Sequence, residues 1–294
     1  MKNAPRGGRV RCRAPSVTAA WGLAFAAALA FPSATAAQDE PITLADDPFE
    51  VTDPHATPPG EAAYSIVGSY ERAATGRVRS TSGAETELSY GVSPNLDLRI
   101  GQTGAYGNLD VRRRLGTVST EGGGPGSEQE RAALGGTTRL GALYQLTEES
   151  GSWPIVGLLG RVRSLYGPGG TAYETEATAL FGKTLMAGER PLGVSLNIGT
   201  VYRFDPAPGE RVTRYLVNAS AGQALTRDTA LVITYAREQQ EKGQPDYSLA
   251  QAGVRHRLRD QRAILGAAVG FGLNRNTPQF QVALAVQWEL GASK

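Results

Sequence analysis

Beyond its first 36 residues the chain has no cysteine, because its one thiol is Cys12. Disulfide frameworks and thiolate metal sites are thereby excluded from the remainder. Histidine is almost missing too: His55 and His256 are the whole supply, which leaves little for acid–base or nucleophilic catalysis. Nowhere after Phe31 does an apolar run approach the ~18 residues that a membrane-crossing helix needs. A chain of this length with no disulfide must be held by a large core or by a sheet closed on itself.

The N-terminal segment accounts for the cysteine and for the basic charge balance. Lys2, Arg6, Arg9, Arg11 and Arg13 precede an apolar run from Ala19 to Phe31, and Ala34-Thr35-Ala36 follows. This is the pattern of a secretory signal peptide over 1–36, cut after Ala36 or Ala37. Cys12 lies before the apolar run, where a lipoprotein cysteine would lie directly after it. Removing those five cations from the 30 basic residues leaves 25 against 28 acidic ones, so the net charge of +2 becomes about −3. No basic stripe remains to neutralise phosphates, and nucleic acid is excluded as a partner.

What the chain does have is short alternation. Leu192, Val194, Leu196, Ile198, Thr200, Tyr202 and Phe204 share one parity, and Gly193, Ser195, Asn197, Gly199 and Arg203 the other. The same period of two returns throughout and means strands. It predicts strands over 62–74, 83–92, 96–107, 133–147, 155–167, 172–184, 192–204, 212–224, 229–239, 247–257, 263–274 and 278–290. Connections alternate in character. Compact turns such as Ser93-Pro94-Asn95 and Thr226-Arg227-Asp228 are followed mostly by longer, more polar loops, the longest from Asn108 to Arg131 around EGGGPGSEQE.

An even strand count with short turns at one end and longer loops at the other predicts an all-β, antiparallel, up-and-down transmembrane barrel of about twelve strands. In hydrocarbon a sheet must close on itself, since each unpaired backbone group costs several kcal/mol. Residues 62–294 form the barrel on this reading, and 37–61 a Pro-rich periplasmic lead-in; both termini fall on the short-turn, periplasmic side. Outer-membrane lipid is then a partner. Tyr64, Tyr70, Tyr144, Tyr166, Tyr202, Phe204, Tyr235, Phe280 and Trp288, near strand ends, would form its aromatic girdles.

The last strand, QFQVALAVQWEL, shows the logic in one line. Phe280, Val282, Leu284, Val286, Trp288 and Leu290 would face lipid, and Gln281, Ala283, Ala285, Gln287 and Glu289 the lumen. Outer-membrane barrels usually end on an aromatic residue read by the barrel assembly machinery, a further partner. Here the chain continues to Lys294, so Trp288 is the candidate for that signal.

Thr52-Asp53-Pro54-His55-Ala56-Thr57-Pro58-Pro59-Gly60 leads straight into the first strand, and Leu88 to Gly101 reads as a Tyr-Gly strand, a short turn and a Leu-Arg-hydrophobic-Gly strand. Gly135 to Gly141, followed by Tyr144-Gln145-Leu146, adds a third segment. Together these resemble a family of outer-membrane transporters labelled as the MetA pathway of phenol degradation. The resemblance spans roughly 50 to 290, and it implies an outer-membrane transporter or pore associated with aromatic degradation, with no catalytic residues.

The inward parity collects charge of both signs: Glu85, Glu87, Asp97, Arg99, Arg139, Arg161, Arg163, Glu174, Glu176, Arg203, Arg214 and Glu289. Arg161 and Arg163 adjoin Glu174 and Glu176 across one hairpin, so they can pair across the wall. Such charges either stay solvated in a wide bore and orient dipolar solutes, or pair and rigidify a narrow one. No enzyme, cofactor or metal is expected. His55 and His256 lie on the short-turn side, away from the extracellular rim where barrel hydrolases place their sites, and Asp205 with Glu210, which could form a carboxylate pair or a calcium site, sit in a Pro-rich exposed loop. The expected function is passive passage of small solutes, aromatic or hydrophobic ones included. The alternative is a closed barrel with a structural or surface-interaction role. An autotransporter translocator is disfavoured, because residues 38–61 offer no pore-filling helix or passenger.

Overall fold

The computed structural model describes residues 50–118, 129, 131–258, 262–274 and 277–291. The signal peptide, residues 37–49 of the lead-in and most of the EGGGPGSEQE run lie outside the described residues. Twelve strands follow one another: β1 Ala62–Ala73, β2 Ser80–Ser93, β3 Leu96–Gly107, β4 Ala133–Thr147, β5 Ile155–Gly167, β6 Gly170–Met186, β7 Leu192–Arg203, β8 Thr213–Ala224, β9 Thr229–Glu238, β10 Tyr247–Leu258, β11 Ala263–Gly272 and β12 Pro278–Leu290. Each hydrogen-bonds to its neighbours in sequence, and β1 pairs with β12, so the antiparallel sheet closes into the expected up-and-down barrel. Among the described residues no helix is long and apolar enough to cross a membrane; apart from two short 3-10 turns in the β3–β4 loop, the elements are strands.

All twelve expected strands form, most within two residues of the expected ends. β2 begins three residues earlier than periodicity suggests, at Ser80, and β6 two earlier, at Gly170, because ladder partners on β1 and β3 and on β5 hold the backbone extended whatever the side chains are. The connection expected over 167–171 shrinks to Pro168-Gly169, closing the β5–β6 hairpin through a Gly167↔Gly170 pair.

Parity decides which side chains go inside. In β12, Gln281, Ala283 and Ala285 are buried while Val282, Leu284 and Val286 point outward. Large exposed apolar side chains stand on every strand except β8, from Tyr70 on β1 to Leu284 on β12. The buried interior, in contrast, holds Asp97, Glu174, Arg214 and Arg255.

The closing seam is β1 against β12. Tyr64 lies directly opposite Trp288 on the outer face, and their rings stack at 6.0 Å with 18° between planes. Such a pair contributes about 1 kcal/mol beyond the area it buries. Trp288→Ala is expected to lower the heat-modifiable transition of the refolded barrel and to slow its assembly in cells. An unchanged assembly rate would remove Trp288 as the assembly signal.

Two segments fill the bore. From the short-turn end, residues 50–60 run inward as chain outside the strands. The Thr57 amide donates to Asp97 Oδ2 at 3.0 Å, and Ala56 packs on Leu143, Leu159 and Leu180. From the opposite end the β3–β4 loop folds in through its 3-10 turns, Leu109–Val111 and Arg113–Leu115, burying Leu109, Val111 and Leu115. Although the sequence shows no pore-filling helix in the lead-in, these residues occupy the lumen without one.

Candidate functional site

The inner wall from β2 to β9 carries a continuous belt of ion pairs. On β5 and β6, Arg161 lies opposite Glu176 and Arg163 opposite Glu174, as their hairpin implies. Arg163 contacts Glu176 closely and reaches Glu174 at 3.8 Å; Arg161 reaches Glu176 at 3.8 Å. Glu174, fully buried, also accepts from Arg203 on β7 at 3.2 Å and from Arg214 on β8 at 2.5 Å. Arg214 continues to Glu238 on β9 at 3.4 Å. In the other direction Arg161 reaches Glu87 on β2 at 3.2 Å, which Arg139 and Arg99 share at 3.2 and 3.5 Å. Arg139 holds Glu85 at 2.6 Å, and Arg99 grips Asp97 through two bonds of 2.9 and 3.0 Å.

Missing side chains make these long reaches possible. Arg139 on β4 must cross β3 to meet Glu85 and Glu87, and the residue beneath it is Gly101; a Cβ there would lie 2.5 Å from Arg139 Nε. Arg161 likewise crosses β4 at Gly141, where a Cβ would lie 2.8 Å from its Cγ. Gly101→Leu is therefore expected to push Arg139 off both carboxylates. A cost of about 1–3 kcal/mol from overpacking alone should appear in urea unfolding; an unchanged midpoint would mean that Arg139 reaches them by another route.

Eleven of the twelve charges expected in the lumen thus join one network. Glu289 does not: it shares the inward parity, but near the short-turn end, and among the described residues its carboxylate has no ion-pair partner. Five further charged residues were not anticipated: Glu238 joins the belt through Arg214, and Glu50, Glu71, Arg112 and Arg114 pair among themselves. Glu71 and Glu238 follow the parity of Ser65, Val67 and Ser69 and of Thr234 and Ala236, so alternation could have found them. Glu50, Arg112 and Arg114 belong to segments without periodicity, which carry no such signal.

These last three form the centre of the lumen. Arg112 Nη2 donates to Glu50 Oε1 at 2.6 Å, and Arg114 Nη2 donates to Glu50 Oε2 at 2.8 Å, so each carboxylate oxygen has its own guanidinium. Arg112 is fixed separately, with its guanidinium 4.3 Å above the Tyr247 ring, bonded to the Tyr247 hydroxyl and 3.5 Å from Glu71. The Arg114 carbonyl accepts from Thr137, and Asn218 donates to the Glu50 carbonyl at 2.6 Å. Burial pushes the Glu50 carboxyl up, but Arg112 and Arg114 overcome it and hold the group below the usual carboxylate range. The seat is thus fully charged at neutral pH and weakens only as pH falls through that lowered value.

Beside this seat lies a cavity of about 80 Å³. Its lining includes five glutamates, at 50, 85, 87, 176 and 238, and five arginines, at 112, 114, 139, 161 and 163, with Val67, Leu159, Leu216 and Ala236 as apolar patches. It has room for water, yet it is smaller than the roughly 150 Å³ cavity that takes a benzene ring. Among the described residues no group of three or more His, Cys, Asp or Glu could hold a metal. Glu210 pairs with Arg203 at 3.0 Å and not with Asp205. His55 contacts Asp53 at 2.7 Å in an exposed position, and His256 the Thr229 hydroxyl at 2.9 Å.

No family model matches the sequence, and no curated protein matches it. Among solved structures the chain is similar to the COG4313 outer membrane channel from Pseudomonas putida F1, with a TM-score of 0.59 and 13% identity over 83% of this chain and 100% of that one. Similarity to the KdgM porin is weaker, with a TM-score of 0.46 and 11% identity over 77% of this chain and 99% of the porin. The Pseudomonas putida toluene transporter TodX gives 0.38 and 12% over 78% of this chain and 88% of that one. The chain therefore has the barrel fold found in an outer-membrane channel.

Proposed function

We propose that this chain is an outer-membrane channel for passive passage of small solutes, aromatic and hydrophobic ones included, exported through a cleaved signal peptide and inserted by the barrel assembly machinery. The observation that carries the reading is its inside-out construction: an apolar exterior around a charged interior. An exposed apolar surface of that extent is stable against lipid and not against water, and a closed ladder leaves no unpaired edge in hydrocarbon. Passage is supported by what fills the bore. The belt side chains lie along the wall, β11 and β12 present small residues such as Gly266, Ala268, Ala283 and Ala285 inward, and the centre is taken by two segments outside the sheet. The resemblance to the transporter family labelled by phenol degradation supports including aromatic solutes.

A closed barrel with a structural role has one observation in its favour, the meeting of lead-in and loop at Glu50 inside the bore. Planar-bilayer recording of the refolded full chain separates the two. Steady single-channel currents, with swelling of liposomes in small aromatic acids, are expected for a channel. Silence from a barrel that keeps its heat-modifiable mobility would favour the closed reading.

A further inference from the structure

We propose that Arg112 and Arg114 form a binding site for the carboxylate of a small solute with an apolar body, and that Glu50 fills this site as the chain's own stand-in until such a solute displaces it. The role in passage rests on the channel reading; the binding itself does not.

Three features of the lumen converge on this ligand. The first is geometry. One guanidinium meets each oxygen of the Glu50 carboxylate, at 2.6 and 2.8 Å, a planar two-oxygen match that suits carboxylates. Arg112 does not depend on Glu50 for its position, since Tyr247 and Glu71 hold it, and the Thr137 bond anchors the backbone at Arg114.

The second is charge. At the clamp the two arginines, Arg112 and Arg114, face two carboxylates, Glu50 and Glu71, so charge there is balanced only while Glu50 is seated. Withdrawing Glu50 leaves one positive charge uncompensated in a site of low dielectric, where an unpaired charge is costly. A monoanion restores neutrality, a neutral solute leaves the excess, and a dianion overshoots it.

The third is the surroundings. Val67, Leu159, Leu216 and Ala236 line the same cavity, and Val111 packs with Ala236, Tyr247 and Leu249 close to the clamp. A ligand whose carboxylate replaces that of Glu50 would place its body against these groups, in space that the cavity and the departed lead-in provide together.

Benzoate is a suitable probe, with benzyl alcohol as the uncharged control. The refolded full chain in detergent would be titrated calorimetrically in carboxylate-free buffer. Glu50→Gln is expected to bind benzoate at least tenfold more tightly than the unaltered chain, because the competing anion is gone. Adding Arg114→Gln should abolish at least tenfold of that gain, and benzyl alcohol should distinguish none of the three. Equal benzoate affinity in the unaltered chain and Glu50→Gln, no binding to Glu50→Gln, or a gain that survives Arg114→Gln would overturn the proposal. If Glu50→Gln loses heat-modifiable mobility, Glu50→Ala takes its place under the same criteria. Bilayer silence with benzoate binding intact would count against the channel reading alone.

Discussion

Glu174→Gln is expected to destabilise the folded barrel by about 3–5 kcal/mol, read as a lower urea midpoint in lipid vesicles. The carboxylate is fully buried and faces Arg163, Arg203 and Arg214, with contacts of 3.8, 3.2 and 2.5 Å. Glutamine keeps the size and an acceptor but removes the charge. Three guanidiniums would then share a site with fewer counter-charges, and all three are buried. Removing one member of a buried pair costs far more than the pair contributes over an apolar replacement, since the charge left behind stays desolvated. Glu289→Gln is the internal control: its carboxylate has no ion-pair partner among the described residues, and a change within about 0.5 kcal/mol is expected. Equal effects at the two positions would mean that the belt's charges are solvated, and that the alternation of sign along it does not hold the wall together.

A refolded chain that begins at Pro59 is expected to conduct severalfold more current than the full chain while keeping its heat-modifiable mobility. No ladder bond between β1 and β12 or between β1 and β2 involves residues before Ala62. The truncation removes Glu50 from Arg112 and Arg114, Thr57 from Asp97 and Ala56 from the Leu143, Leu159 and Leu180 cluster, and so empties the short-turn half of the bore. It also takes a carboxylate away from Arg112 and Arg114, so the added current should favour anions. An unchanged current would show that the β3–β4 loop closes the bore by itself, and a lost barrel would show that the lead-in is part of the fold's support.

Alternation made most of the fold legible. A period of two fixes the face of every side chain as soon as the strand is placed, so the segregation in QFQVALAVQWEL, Phe280 outward and Gln281 inward, follows from the residues alone. Hairpin connectivity then sets Arg161 opposite Glu176 and Arg163 opposite Glu174, because antiparallel neighbours joined by a tight turn have little freedom of register. The same parity would have supplied Glu71 and Glu238 had it been followed to the strand ends.

Closure and the filling of the bore were decided elsewhere. That Arg139 bypasses its adjacent strand through Gly101, while Glu289 stands apart from the belt, depends on height along the barrel and on which inner neighbours lack side chains. Neither is a property of one strand. The meeting of Glu50 with Arg112 and Arg114 joins residues 62 and 64 positions apart, on segments with no repeat to read. Local pattern determines strands because each residue's environment there is set by its two chain neighbours and a fixed pleat. An aperiodic segment takes its place from the space and the charge that the finished barrel leaves it, and those exist only once all twelve strands have closed.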